Sequence, residues 1–285
     1  MTMDSLAARA KEDVNSTMLI QKKNISKEDL KFLSSLLDLT SLNDFDSEKT
    51  IQLLYKSTTE KNPYDLTPYA FCIFPTLIEN TQKILKKSDY KIATVIGGFP
   101  HGQVSLQTKI AECKEVLGKG VNEVDLTLNR SFIKNNELEK TCEEIKAIAS
   151  LCHKKNAKIT LKVIIETGEL SLKEIQETTW NAFINGADLV KTSTGKGALP
   201  TLEEIAVVLR TTRAYKDLLK KANLNEKHTN IGVKVSGGVK TVEQAYFIVT
   251  MAAIILGENL SPNNFRIGAS SLYEQLKNYN IKSSV

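Results

Sequence analysis

Gly186-Ala-Asp-Leu-Val-Lys-Thr-Ser-Thr-Gly-Lys-Gly197 joins an apolar segment to a charge and then to a turn. Ala187 to Val190 is short, mostly apolar and follows a helical pattern, so it reads as a buried strand. The strand runs into Lys191, where burying a charge is costly. Three hydroxyl side chains and Gly195-Lys196-Gly197 follow, and such a turn can hold an anion with its backbone N–H groups. An amine at a strand end beside an anion cradle suits imine chemistry on a phosphorylated carbonyl compound. The alternative is a lysine that merely snorkels to solvent from a strand terminus.

Outward from this segment, strands and helices alternate. Tyr69–Phe74, Ile92–Ile96, Glu123–Leu128, Ile159–Ile165, Ala187–Val190, Ile231–Val235 and Phe265–Ile267 read as strands, each separated from the next by a helical pattern. Ser26, Ser171 and Thr241 stand where N-caps belong. Seven strands are visible, and an eighth is expected between about Met251 and Leu256, within the apolar stretch after Thr241. Continuous βα alternation over this length implies a parallel sheet, and eight units close into a (β/α)8, or TIM, barrel. An open doubly wound sheet is disfavoured because no GxGxxG follows the first strand. Residues 1–25 read as a flexible arm, and 26–285 as a single barrel domain with capping N-terminal helices.

The chain has 285 residues and a formal charge of +5, from 38 basic and 33 acidic residues. The bases are scattered and seldom interleaved with aromatics, which argues against nucleic-acid binding but suits an anionic substrate. Cys72, Cys113, Cys142 and Cys152 form no CxxC pair, and His101, His153 and His228 lack ligand spacing. Neither a metal nor another cofactor is therefore expected. No apolar run reaches membrane-span length, and the amino terminus lacks a signal-peptide core. A cytoplasmic setting without membrane contact is expected.

Barrel active sites form at the carboxyl ends of the strands. The polar residues there are Cys72, Asp125, Lys162, Glu166, Lys191 and Lys234. Lys191 and Lys234 lie on successive strands, so proximity and burial would lower the pKa of at least one. Asp125 could pair with either amine and relay protons, or form a purely structural ion pair. Cys72 reads as packing, and Lys162 with Glu166 as either a supporting pair or barrel-end polarity.

Further blocks occur in order along the chain: Asp38-Leu-Thr40, Phe99-Pro-His-Gly102, Glu123-Val-Asp125, Leu161-Lys-Val-Ile-Ile-Glu-Thr-Gly-Glu169, Gly232-Val-Lys234 with Gly237-Gly238, and Arg266-Ile-Gly-Ala-Ser-Ser-Leu272. With Lys191-Thr-Ser-Thr-Gly-Lys196, they resemble the deoxyribose-phosphate aldolase family of class I, Schiff-base aldolases over about residues 30–275. The resemblance implies a metal-independent carbon–carbon lyase of deoxyribonucleotide catabolism, acting on a sugar phosphate and acetaldehyde. It also implies a homo-oligomer, with a dimer favoured.

Carried over, Lys191 is the Schiff-base lysine, Lys234 the lysine that lowers its pKa, and Asp125 the proton-relay acid. Gly195, Lys196, Gly237, Gly238, Ser270 and Ser271 would meet the phosphate. Asp38 and Thr40 would close the pocket near the substrate hydroxyls, with Cys72, Lys162, Thr192 and Gly268 as further substrate contacts. Two departures stand out. The chain ends Lys282-Ser-Ser-Val285 where bacterial members often end in tyrosine, and Lys240 stands where arginine is common. A binding protein that holds a sugar phosphate without chemistry would not need Lys191, Lys234 and Asp125 together. Another lysine aldolase, specific for a different sugar phosphate, would.

Overall fold

The computed structural model describes residues 3–20, 24–86, 88–154, 159–224 and 231–281. Eight parallel strands close into a barrel in chain order. They are β1 (Leu37–Ser41), β2 (Ala70–Ile73), β3 (Lys91–Ile96), β4 (Glu123–Thr127), β5 (Thr160–Ile164), β6 (Leu189–Lys191), β7 (Gly232–Ser236) and β8 (Phe265–Ala269). β8 pairs with β1 through Leu37–Ile267, Asp38–Gly268 and Leu39–Ala269, which closes the ring.

β1 is the strand the sequence reading placed elsewhere. Met251–Leu256 lies inside α10 (Val242–Leu256), a helix ended by Gly257 at φ +62°. An apolar run without clear periodicity does not distinguish a strand from a buried helix. β1 was hidden for the opposite reason. Its Asp38, Thr40 and Ser41 look like loop residues, yet Asp38 and Ser41 are buried.

Pleating sends alternate residues to opposite faces. Leu37, Leu39, Phe71, Ile73, Val124, Leu126, Val163, Val190, Val233 and Ile267 face outward and join the core shared with the surrounding helices. The alternate positions carry Asp38, Cys72, Glu123, Asp125, Lys162, Lys191, Lys234 and Arg266, which are also buried. Both strand faces are thus enclosed, but only the outer face is mainly apolar.

The caps anticipated from sequence form. Ser26, Ser171 and Thr241 each accept a hydrogen bond from the third residue on, starting α2 (Lys27–Ser35), α8 (Leu172–Ile184) and α10. Residues 3–20, expected as a flexible arm, form α1 (Met3–Ile20). α1 packs against α8, α9 (Leu202–Lys221) and α10. Leu6, Ala10, Val14 and Thr17 are buried at helical spacing, and Asp13 makes a bidentate pair with Arg210 of α9. Burying side chains such as Leu6 and Val14 contributes about 1.5–3 kcal/mol each. That docked face separates an N-terminal helix from a loose tail. No helix among the described residues is long and apolar enough to cross a membrane.

Candidate active site

Register brings the lysines together. Lys191 pairs in register with Lys234, Lys234 with Arg266, and Asp125 with Lys162. All are inward positions, so four bases and three carboxylates share the barrel interior. Asp125 is the hub. Its Oδ2 accepts from Lys191 Nζ and Lys234 Nζ, each at 2.9 Å, and its Oδ1 from Lys162 Nζ at 2.8 Å. Lys234 also meets Asp38 at 2.6 Å, and Lys162 meets Glu123 at 2.5 Å and Asp38 at 3.4 Å. Arg266 closes the network below, 2.7 Å from Asp38 and 2.8 Å from Glu123, over the Tyr69 ring.

The protonation states follow from this packing. Burial pushes the Asp125 carboxyl up, but Lys162, Lys191 and Lys234 outweigh it and hold Asp125 well below the usual carboxylate range. Burial likewise opposes ionisation of Asp38, yet Lys234, Lys162 and Arg266 keep it lowered. Burial works against the Lys234 ammonium, but Asp125 and Asp38 raise it well above the ordinary lysine value. Asp125 lies between Lys191 and Lys234, and Lys234 remains a cation. Burial raises the Cys72 thiol, whose Sγ lies 3.7 Å from Asp125 Oδ2.

Above the charged layer opens a cleft of about 290 Å³. Lys191, Thr40, Gly195, Lys196, Gly237, Gly238, Gly268, Ser270 and Ser271 are all on its wall, together with Lys240. Three lysines and no carboxylate line it among the described residues, as an anionic guest requires. Gly237 and Gly238 adopt φ +88° and +79°, a backbone that favours glycine. Gly268 has a steric duty as well. A Cβ there would lie 2.9 Å from Lys234 Cε and 3.0 Å from Ser236 Cβ.

Four expected substrate contacts lie off that wall. Asp38 and Lys162 are consumed by the ion network. Thr192 stitches β6 to β7, donating to Ser236 O and accepting from Ser236 N. Cys72 packs with Leu42, Ala93 and Val95 under Phe74 and Phe99. Of the two readings of Lys162 with Glu166, the supporting pair is absent from the ion pairs of the described residues. Glu166 meets Arg130 instead, at 3.0 Å. Sequence reasoning missed Glu123, Arg266 and Arg130 as partners. Glu123 sits two residues before Asp125 and shares its inward parity, which was the available signal. The terminal Lys282–Val285, where a tyrosine was looked for, lies outside the described residues.

A model of the DeoC/LacD family aldolase matches residues 29–275. The chain belongs to that aldolase family. Relatives named deoxyribose-phosphate aldolase from Homo sapiens and Mus musculus are each 30% identical to this aldolase over 258 residues, 85% of this chain and 78% of theirs. A deoxyribose phosphate aldolase from Aeropyrum pernix, described as tetrameric, superposes with a TM-score of 0.67 at 25% identity, covering 94% of this chain and 98% of that one. A solved structure from Toxoplasma gondii, at 21% identity and TM-score 0.73, shares the fold over 88% of this aldolase and 92% of its own chain.

Proposed function

We propose that this aldolase reversibly cleaves 2-deoxy-D-ribose 5-phosphate to D-glyceraldehyde 3-phosphate and acetaldehyde through a Schiff base on Lys191. The observation that carries the reading is the placement of Lys191: it alone joins the charged layer to the cleft wall. Among the described residues, Lys162 pairs with three carboxylates and Lys234 and Arg266 with two each, whereas Lys191 pairs only with Asp125. Four bases against three carboxylates leave one positive charge unbalanced, so releasing a proton from Lys191 leaves the layer neutral. The free amine then adds to C1 of the open-chain sugar, and loss of water gives the iminium.

The iminium returns a positive charge to the nitrogen that faces Asp125, which stabilises it without reorganisation. With the iminium as electron sink, the C3 hydroxyl loses its proton and the C2–C3 bond breaks. Glyceraldehyde 3-phosphate departs, leaving an enamine on Lys191. Protonation at C2 and hydrolysis release acetaldehyde. Asp125 is too acidic to be a strong base alone. It therefore serves by passing the proton between water and the flanking ammonium groups. Lys196, Lys240 and the Gly237-Gly238 turn receive the phosphate, with Ser270 and Ser271 opposite. The same reading places the enzyme in the cytoplasm as a homo-oligomer, with a dimer as the unit.

Acetaldehyde with borohydride tests this directly. The expected result is a two-carbon adduct on Lys191 after peptide mapping. An adduct confined to another lysine, or no adduct, would overturn the mechanism.

A further inference from the structure

Glu166 takes no part in the chemistry above, yet it is buried and holds a left-handed backbone, φ +60° and ψ +64°. L-residues other than asparagine and aspartate seldom sit there, and such backbones cluster where surrounding contacts over-determine them. Apart from Arg130, those contacts here lead to the turn after Lys191. Ser193 Oγ donates to Glu166 Oε1 at 2.6 Å, and the Thr194 N–H donates to Oε1 and Oε2 at 3.1 and 3.3 Å. Ser193 Oγ then accepts from the Gly195 N–H at 2.9 Å, and Thr194 Oγ1 accepts from the Lys196 N–H at 3.1 Å. One carboxylate thus anchors the half of the cleft wall that presents Thr194, Gly195 and Lys196.

The other half depends on the same anchor. A Cβ on Gly237 would lie 3.0 Å from Ser193 Oγ, so Ser193 packs directly beneath the Gly237-Gly238 turn. Shifting Ser193 would disturb both halves. The cost of this arrangement is a carboxylate close behind an anion-receiving wall. Arg130, the first residue of α6 (Arg130–Lys134), meets Glu166 Oε2 at 3.0 Å and offsets that charge.

From this geometry we infer that Glu166 is the positioning residue of the anion cradle, and that Arg130 keeps its charge from opposing a phosphate. The pair thereby sets the preference for phosphorylated over unphosphorylated sugar. This rests on the aldolase reading of the cleft.

The test compares Glu166→Ala, Glu166→Gln and Arg130→Met with the parent enzyme on 2-deoxyribose 5-phosphate and on 2-deoxyribose. For Glu166→Ala, KM for the phosphorylated sugar should rise about tenfold or more, with kcat/KM for 2-deoxyribose falling at least fivefold less. Glu166→Gln keeps an acceptor for Ser193 and Thr194 and should recover part of that KM. Arg130→Met should raise KM for the phosphorylated sugar by a factor that shrinks as salt is added, because screening weakens an uncovered charge.

Equal losses on both substrates, or an Arg130→Met effect insensitive to salt, would overturn the inference. Borohydride trapping of acetaldehyde separates the causes of failure. A parent enzyme that does not trap at Lys191 refutes the aldolase reading itself. A variant that traps normally is folded, so its substrate ratio bears on the cradle alone.

Discussion

The two faces of the barrel strands are equally buried but differently built. Outward, Phe71, Leu126, Val163 and Val233 meet helices in a continuous apolar layer. Inward, Lys162, Lys191 and Lys234 converge on the single carboxylate of Asp125. Apolar contact is non-directional and scales with area, whereas a charged network works only with every partner in place. Stability in this fold therefore resides mainly outside the strands and reactivity inside them.

A substitution on the outer face should separate the two properties most clearly. Phe71 is fully buried and packs edge-on to Tyr90, with ring centroids 5.1 Å apart. Phe71→Ala should lower unfolding free energy by about 3–5 kcal/mol in denaturant titration, while kcat of the folded fraction stays within about threefold. A kcat loss larger than that would show that the outer layer also sets the site geometry.

The inner face should show the reverse. Lys234→Leu leaves Asp38 with Arg266 and Lys162, and Asp125 with Lys162 and Lys191, so neither carboxylate is left without a cation. Activity at neutral pH should fall about a hundredfold or more, because the proton relay through Asp125 loses one of its flanking ammonium groups. Borohydride trapping of acetaldehyde at Lys191, which draws on the same relay, should slow with it. A folded Lys234→Leu protein with the parent's trapping profile would remove Lys234 from this role.

A small effect at the barrel's rim calibrates the contrast. His153 meets Asp188 at 2.9 Å, and this hydrogen bond raises the imidazole above its ordinary value of 6.5. The raised value means the pair's stabilisation is full below about pH 6.5 and fades as pH climbs through the folded-state value. Its side chain is 38% exposed, so the solvent-screened contribution is under about 1 kcal/mol. Asp188→Asn should flatten this part of the stability–pH curve. Unchanged pH dependence would mean the pair contributes nothing measurable.

The same contrast explains what could be read from the chain. Short, mostly apolar runs leading to Lys191 and Lys234 announced both strands and their reactive lysines, because outward positions look like strands in any barrel. β1 did not, since its inward Asp38 belongs to a network visible only after closure. Arg266 reaches Asp38 and Glu123 across 228 and 143 residues, and no local pattern encodes such a meeting. α1 was equally opaque. Four well-spaced buried residues among charges give only a weak signal until the helices that receive them are in place.

That last dependence has a temporal side. α1 is made before the helices that form its seat, which extend to Leu256. At ordinary synthesis rates, its apolar stripe waits on the order of ten seconds or more for a partner. Among the described residues, α1 thus precedes in synthesis every helix it packs against, and its docking waits until α8, α9 and α10 have all been made.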